Sequence, residues 1–150
     1  MKKKIIAIFT VCLLMGSLNL EGQTRYGVKA GYSYPGFLAG VAVNFDLPWG
    51  FAVQPELQYM QKCMNMGQFG WWNIGYIEPS ASLQYGLDLV LLRPFVAVTP
   101  FVGIPVSKDV GFNYGVGVGG GLDIWRFQVH AQYKWSELYE GVEIALAFFF

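Results

Sequence analysis

From Gln23 onward the chain alternates apolar and polar side chains with a period of two, segment after segment, and no useful stretch keeps a helical period. The alternation predicts strands near 26–34, 36–46, 50–61, 73–87, 93–104, 110–124, 126–136 and 140–150, with boundaries good to a few residues. Each segment reaches the roughly 9–11 residues that a tilted strand needs to cross a bilayer. Little chain is left over for other structure.

One parity is apolar throughout. It carries Tyr26, Val28, Ala30 and Tyr32, then Phe37, Val41 and Phe45, then Val53, Leu57 and Tyr59, and it continues through Ile77, Leu83 and Tyr85. Later segments extend it with Tyr114, Val116, Val118 and Leu122, with Phe127, Val129 and Tyr133, and with Val142, Ile144, Leu146 and Phe148. The mid-strand charges Lys29, Asp46, Glu56, Glu78, Asp123, Arg126, Lys134 and Glu143 all fall on the other parity. The fifth segment, with Pro94, Pro100 and Pro105, alternates ambiguously, and its faces stay open.

Alternation alone does not say which face is inside, because a soluble ligand-binding barrel alternates too. Volume separates the two arrangements. Eight strands enclose a lumen just wide enough for side chains, and a face so rich in Phe and Tyr would overfill it. The opposite parity includes the row Gly115, Gly117, Gly119 and Gly121, which leaves room in a crowded lumen for long polar side chains of other strands. A charge on a lipid face costs roughly 2–4 kcal/mol at mid-bilayer for Arg or Lys, so lipid would enforce this segregation. The expected fold is an all-β, eight-stranded antiparallel up-and-down transmembrane barrel over residues 23–150. Its lumen would hold a polar network of Lys29, Glu56, Glu78, Asp123, Arg126, His130, Lys134 and Glu143, paired because unpaired buried charge is costly.

Composition agrees with a membrane partner. Hydrophobic residues make up 54% of the chain and charged ones 13%, against about 25% charged in an average soluble domain. A formal net charge of zero removes the electrostatic case for nucleic acid. Residues 1–22 read as an export signal, with Lys2, Lys3 and Lys4 ahead of an apolar run from Ile5 to Leu20, and cleavage is placed near Gly22. Cys12 lies in no convincing lipobox, and after cleavage Cys63 stands alone, so no intramolecular disulfide is expected.

The tryptophans Trp49, Trp71, Trp72, Trp125 and Trp135 all sit at or beside predicted strand ends, as an aromatic girdle at both membrane interfaces requires. The turns around Asp46–Gly50 and Ile124–Arg126 are short, as periplasmic turns are, and Gln61–Trp72 is the longest expected connection, facing out of the cell. Pro55 and Pro79 interrupt predicted strands, where each removes a ladder hydrogen bond, so a bulge is expected at one or both.

The segments Gly27–Ser33, Gln54–Cys63, Tyr76–Leu87, Arg93–Lys108 and Phe112–Ile124, with the closing strand, resemble the PorT-type outer-membrane β-barrel family of Bacteroidota over nearly all of residues 23–150. The closest motif is Gln54-Pro55-Glu56-Leu57 with Tyr59. Glu78 and Pro79 are adjacent where the family separates them, and Thr99 stands where a glycine is common. The resemblance implies an outer-membrane location and a barrel architecture. It also implies an alternative role, since the name-giving member is similar to accessory proteins of secretion systems. Phe150, on the apolar parity, is similar to the C-terminal signal read by the barrel-assembly machinery.

Candidate chemistry is thin. His130 could be combined with Ser80 or Ser82 and a glutamate into a Ser–His–acid set, but a narrow lumen offers substrate no entrance. Met60, Cys63, Met64 and Met66 supply soft sulfur that would suit monovalent copper, with a merely Met-rich loop as the other reading. The Gly115–Gly121 run lacks the helix a dinucleotide site needs. No cofactor and no enzymatic activity are expected. The leading expectation is an envelope structural or interaction barrel without an open pore, whose partners are outer-membrane lipid, the barrel-assembly machinery and a secretion or envelope protein. The alternatives are an accessory subunit of a secretion or assembly complex, and a soluble periplasmic barrel that binds an apolar ligand.

Overall fold

The alternating segments fold into strands whose backbone groups pair only with neighbouring strands, so the sheet must either keep two open edges or close. It closes. The computed structural model describes residues 23–65, 71–106 and 111–150, with the side chains of 63–65 and 71–73 outside that description. Eight strands run β1 Thr24–Ser33, β2 Gly36–Asp46, β3 Phe51–Asn65, β4 Trp71–Gly86, β5 Arg93–Pro105, β6 Asn113–Ile124, β7 Phe127–Ser136 and β8 Glu140–Phe149. Each pairs antiparallel with its sequence neighbours, and β1 also pairs with β8, from Gly27 opposite Phe149 to Ser33 opposite Glu143. This is a closed, up-and-down, eight-stranded antiparallel barrel.

Because successive side chains point to opposite faces, the register assigns every residue a side. Odd-numbered positions point inward in β1, β5, β6 and β8, and even-numbered ones in β2, β3, β4 and β7. Tyr26, Val28, Phe37, Val41, Leu57, Leu83, Val129 and Ile144 are exposed on the outer wall, while Lys29, Glu56, Gln58, Glu78, Lys134 and Glu143 are buried inside it. The sidedness is inverted relative to a soluble barrel, with ions at the centre and hydrocarbon around it.

β5, whose faces the alternation leaves open, turns Phe95, Ala97, Thr99 and Phe101 inward and Val96, Val98 and Ile104 outward. Two inward phenylalanines fit because of what stands beside them. Phe95 is paired with Gly121 and Phe101 with Gly115 across the β5–β6 ladder. A Cβ at Gly121 would stand 2.8 Å from Phe95 Cζ, and one at Gly115 2.8 Å from Phe101 Cζ. The glycine row therefore accommodates aromatic rings of the adjacent strand, as well as the polar tips expected there: a Cβ at Gly117 would meet Gln132 Oε1 at 2.6 Å.

Three expectations are corrected. No bulge forms at Pro55 or Pro79: the β3–β4 register runs without a slip from Phe51 opposite Tyr85 to Asn65 opposite Trp71, through both prolines. The missing N–H groups instead leave gaps in the ladders on the other side. The β2–β3 rungs stop between Ala42–Glu56 and Phe45–Val53, and the β4–β5 rungs beside Pro79 are absent, with the register unchanged across each gap. Residues 61–72 are not a long loop, because β3 runs for 15 residues to Asn65 and β4 for 16 from Trp71. Cross-strand pairing continues the two as a hairpin beyond the last rung with β2, where Gly36 faces Lys62. Third, the interior is not wholly polar, since Leu38, Met60, Ile74, Tyr76, Phe95, Phe101 and Phe149 are buried in it. The export signal at 1–22, the sulfur side chains of Cys63, Met64 and Met66, and the indoles of Trp71 and Trp72 lie outside the described residues.

Candidate functional site

The chemistry-bearing side chains meet in the lumen, arranged along the axis by which rung each occupies. At mid-height five charges form one connected chain. Lys29 Nζ on β1 lies 2.7 Å from Glu56 Oε2 on β3 and 3.2 Å from Glu143 Oε1 on β8. The other oxygen of Glu143 lies 2.6 Å from Lys134 Nζ on β7, and Lys134 in turn binds Glu78 on β4. Gln58 donates to Glu78 Oε1 at 2.7 Å and Gln132 to Glu143 Oε1 at 2.9 Å. The chain of ions thus runs from β3 to β4 by way of β1, β8 and β7, and its Lys29–Glu56 and Lys134–Glu78 links tie together strands that share no backbone pairing.

An amide layer lies next to it on the side of the chain termini. Gln54 on β3 and Gln128 on β7 exchange hydrogen bonds across the lumen at 3.0 and 3.1 Å. Asn44 and Gln84 donate to the same Gln54 oxygen at 3.1 and 3.0 Å, and Gln54 donates to Glu56 at 2.6 Å. These bonds reach across the tube from one wall to a non-adjacent one. At the terminus mouth, Arg93 binds Asp123 at 3.1 Å and Asp88 at 3.3 Å, while Arg25 lies 3.5 Å from Asp46 and 3.8 Å from Asp123.

The opposite mouth is stoppered by Tyr139 from the β7–β8 turn. Its hydroxyl donates to Glu78 Oε2 at 2.8 Å, and its ring stacks at 19° on Phe101 with centroids 6.1 Å apart. It also packs on the Leu38–Met60–Ala145 cluster. Burial, with the Glu78 carboxylate beside it, pushes the Tyr139 phenol well above its ordinary pKa, so it remains a donor. The buried Lys62 ammonium sits 3.8 Å from the centre of the same ring and donates to the Tyr34 carbonyl at 2.8 Å.

Of the residues expected to form the network, Lys29, Glu56, Glu78, Lys134 and Glu143 are brought together, and Asp123 lies in the terminus-side layer, accepting from Gln128 at 2.8 Å. Arg126 is a correction. It is exposed in the β6–β7 turn with its guanidinium 5.0 Å from the Trp125 ring, and the groups beside Asp123 are Arg93 and Arg25. Arg126 has β7's inward parity, but it lies beyond the last rung, Ile124 opposite Phe127, where parity no longer fixes direction. His130 points into the lumen and is buried, yet neither ring nitrogen has a hydrogen-bond partner, and its contact is with Phe95 at 5.8 Å between ring centres. Ser82 accepts from Thr99 at 3.1 Å, so no Ser–His–acid relay is assembled. Among the described residues no group of His, Cys, Asp and Glu is placed to hold a metal ion.

Arg25, Gln54, Arg93, Gln128 and Tyr139 were missed. Gln54 and Gln128 carry inward parity and were legible as such, while Arg25 precedes the first predicted strand, Arg93 belongs to the segment whose faces alternation leaves open, and Tyr139 lies in a turn, where alternation is silent. Trp49 and Trp125 are 90% and 75% exposed at the terminus end, and Trp135 is half-exposed towards the opposite end. Phe150 is exposed at the terminus rim, its N–H donating to the Tyr26 carbonyl at 2.8 Å.

No family model matches the chain, and no curated protein matches it significantly. Solved structures do. The N-terminal β-barrel domain of Pseudomonas aeruginosa OprF superposes with a TM-score of 0.52 at 17% identity, over 87% of this chain and all of that one (100%). Yersinia pestis outer membrane protein Ail, determined in a phospholipid bilayer nanodisc, gives 0.51 at 12% identity over 85% of this chain and 100% of its own. A designed transmembrane β-barrel gives 0.50 at 15% identity over 86% and 96%. At these identities the likeness is one of fold: the chain has the architecture of small outer-membrane barrels.

Proposed function

We propose that the chain is an outer-membrane β-barrel with a structural or protein-interaction role in the cell envelope, carrying out no catalysis and forming no open pore. The observation that carries this reading is the inversion of the barrel, with a cross-linked ion and amide network inside and an unbroken apolar wall outside. In water such a wall would be an exposed apolar surface far larger than soluble monomers carry. In lipid it is the favourable side, and the backbone has no open edge. A soluble barrel holding an apolar ligand would need the opposite arrangement, and its lumen here is occupied by Lys29, Glu56, Glu143, Lys134 and Glu78.

In this reading residues 1–22 direct export, and the end bearing Gln23 and Phe150 faces the periplasm. The outward Phe150 is the residue offered to the barrel-assembly machinery. Trp49 and Trp125 mark one membrane interface, and Trp135 marks the other. The resemblance to PorT-type barrels supports the same location. Separation of inner and outer membranes should place the protein in the outer fraction. Unboiled samples should migrate faster than boiled ones in denaturing gels, and planar bilayers should show no steady conductance. Recovery as a soluble periplasmic protein would overturn the reading.

A second reading, an accessory subunit of a secretion or assembly complex, is favoured by one feature. The β3–β4 hairpin projects beyond its neighbours at the end away from the termini, where a partner could dock. Crosslinking through Cys63 in outer membranes, followed by identification of the captured protein, tests it.

A further inference from the structure

The barrel's apolar wall does not stop at the terminus rim. The last β4–β5 rung pairs Gly86 with Phe95, but the hairpin carries on in the same register: Leu87 N–H donates to the Pro94 carbonyl at 3.0 Å and Leu89 N–H to the Leu92 carbonyl at 3.0 Å. Three further residues at about 3.3 Å each lift the tip roughly 10 Å past the rung. Along this extension the two parities keep their chemistry. The inward positions Asp88 and Arg93 hold each other at 3.3 Å over the mouth, and the outward positions Leu87 and Leu89 prolong the apolar strip of β4. At the tip Val90 is 100% and Leu91 80% exposed.

In an aqueous compartment the tip would be an unexplained cost. The neighbouring turns have the same character: Trp49 and Trp125 occupy left-handed backbone conformations, φ 66° and 56°, and stand exposed at the same end. The β2–β3, β4–β5 and β6–β7 turns thus each present a large apolar side chain, spaced around the circumference. A protein partner would meet one patch of such a rim, whereas a lipid leaflet meets all of it.

We propose that the Leu87–Leu92 hairpin is a lipid anchor, its outward and tip side chains lying in the headgroup and upper acyl region of the leaflet on the terminus side. That region is about 5–8 Å deep beyond the hydrocarbon, comparable with the hairpin's reach past the rim. The inference rests on the membrane reading above and adds a specific surface and a specific partner, phospholipid.

The test uses the full mature chain in a Cys63→Ser background, with single cysteines placed by Val90→Cys or Leu91→Cys at the tip, Leu83→Cys on the outer wall, and Gly111→Cys at the opposite end. Each variant, shown folded by its gel shift, carries an environment-sensitive fluorophore in vesicles of phosphatidylethanolamine and phosphatidylglycerol. The expected result is a blue-shifted tip label that loses intensity to headgroup-region nitroxide lipid and is shielded from aqueous iodide, while the label at residue 111 behaves oppositely. A tip label quenched by iodide and untouched by nitroxide lipid, with the Leu83 label quenched by lipid, overturns the anchor and leaves the tip as a protein-docking site. A Leu83 label that lipid nitroxide does not reach overturns the membrane reading itself.

Discussion

Lys29 on the first strand and Glu143 on the last meet 3.2 Å apart inside the barrel, beside the seam where the sheet closes on itself. The seam's rungs run over Gly27–Ser33, with one further backbone bond at each end, Tyr34 N–H to the Val142 carbonyl and Phe150 N–H to the Tyr26 carbonyl, and the side chains inside reinforce this closure between residues 114 positions apart in sequence. Lys29 simultaneously binds Glu56, and its removal would leave two buried carboxylates short of a partner.

Lys29→Met is therefore expected to destabilise the folded barrel by about 3–5 kcal/mol, the usual cost of stranding a buried charge. Adding Glu56→Gln should recover a substantial part of that loss, because the neutral amide no longer needs a cation. Urea unfolding of the single and double variants in lipid vesicles measures both, and equal additive losses would argue against direct coupling.

Arg126→Met should change stability by less than about 1 kcal/mol, since the side chain is exposed in a turn with its guanidinium over the Trp125 ring. Arg93→Met should cost considerably more, because Asp123 loses its 3.1 Å partner and the Gly50 carbonyl its 2.9 Å donor. Comparing the two unfolding midpoints checks the placement of the mouth charges.

Gly115→Ala and Gly117→Ala should differ although both remove a lumen glycine. At Gly115 the new methyl meets the Trp135 backbone carbonyl as well as the Phe101 ring, so strands must move, and the expected cost is about 1–3 kcal/mol or more. At Gly117 it meets only the side chains of Gln132 and Lys134, which can swing aside, and the loss should be smaller. The fraction refolded into vesicles, read by gel shift, ranks them.

Tyr139→Phe should lower stability by about 1.5–3 kcal/mol at neutral pH by deleting the bond to Glu78. Because the phenol's pKa is raised in the fold, the unfolded chain ionises first, so the stability contributed by this group is present below about pH 10 and is lost as pH rises beyond it. The phenylalanine variant should therefore lose less stability than the parent between neutral and strongly alkaline pH. Tyr139→Ala should in addition open the mouth, making Lys62 reactive towards a water-soluble amine reagent in the folded barrel.

Much of the site was legible before any coordinates, but unevenly. Parity placed Lys29, Glu56, Glu78, Lys134 and Glu143 on one face, and those residues do line the lumen. Parity failed where the ladder ends: Arg126 shares the inward parity of β7 yet sits outside it, and Tyr139 enters the lumen from a turn. It was also blind at β5, where apolar residues occupy both faces and only the glycines of β6 explain how Phe95 and Phe101 fit inside.

What the chain alone determines is sidedness, because consecutive Cβ atoms in a strand must point to opposite faces and lipid will not accept charge on one of them. Which of the inward groups touch is a matter of stagger and closure. Lys29 finds Glu143 and Gln54 finds Gln128 only once the sheet has rolled up and its register has brought distant rungs to one height. Local alternation carries no information about that height, so the partners, the Tyr139 stopper and the exposed Leu87–Leu92 hairpin could be read only from the folded barrel.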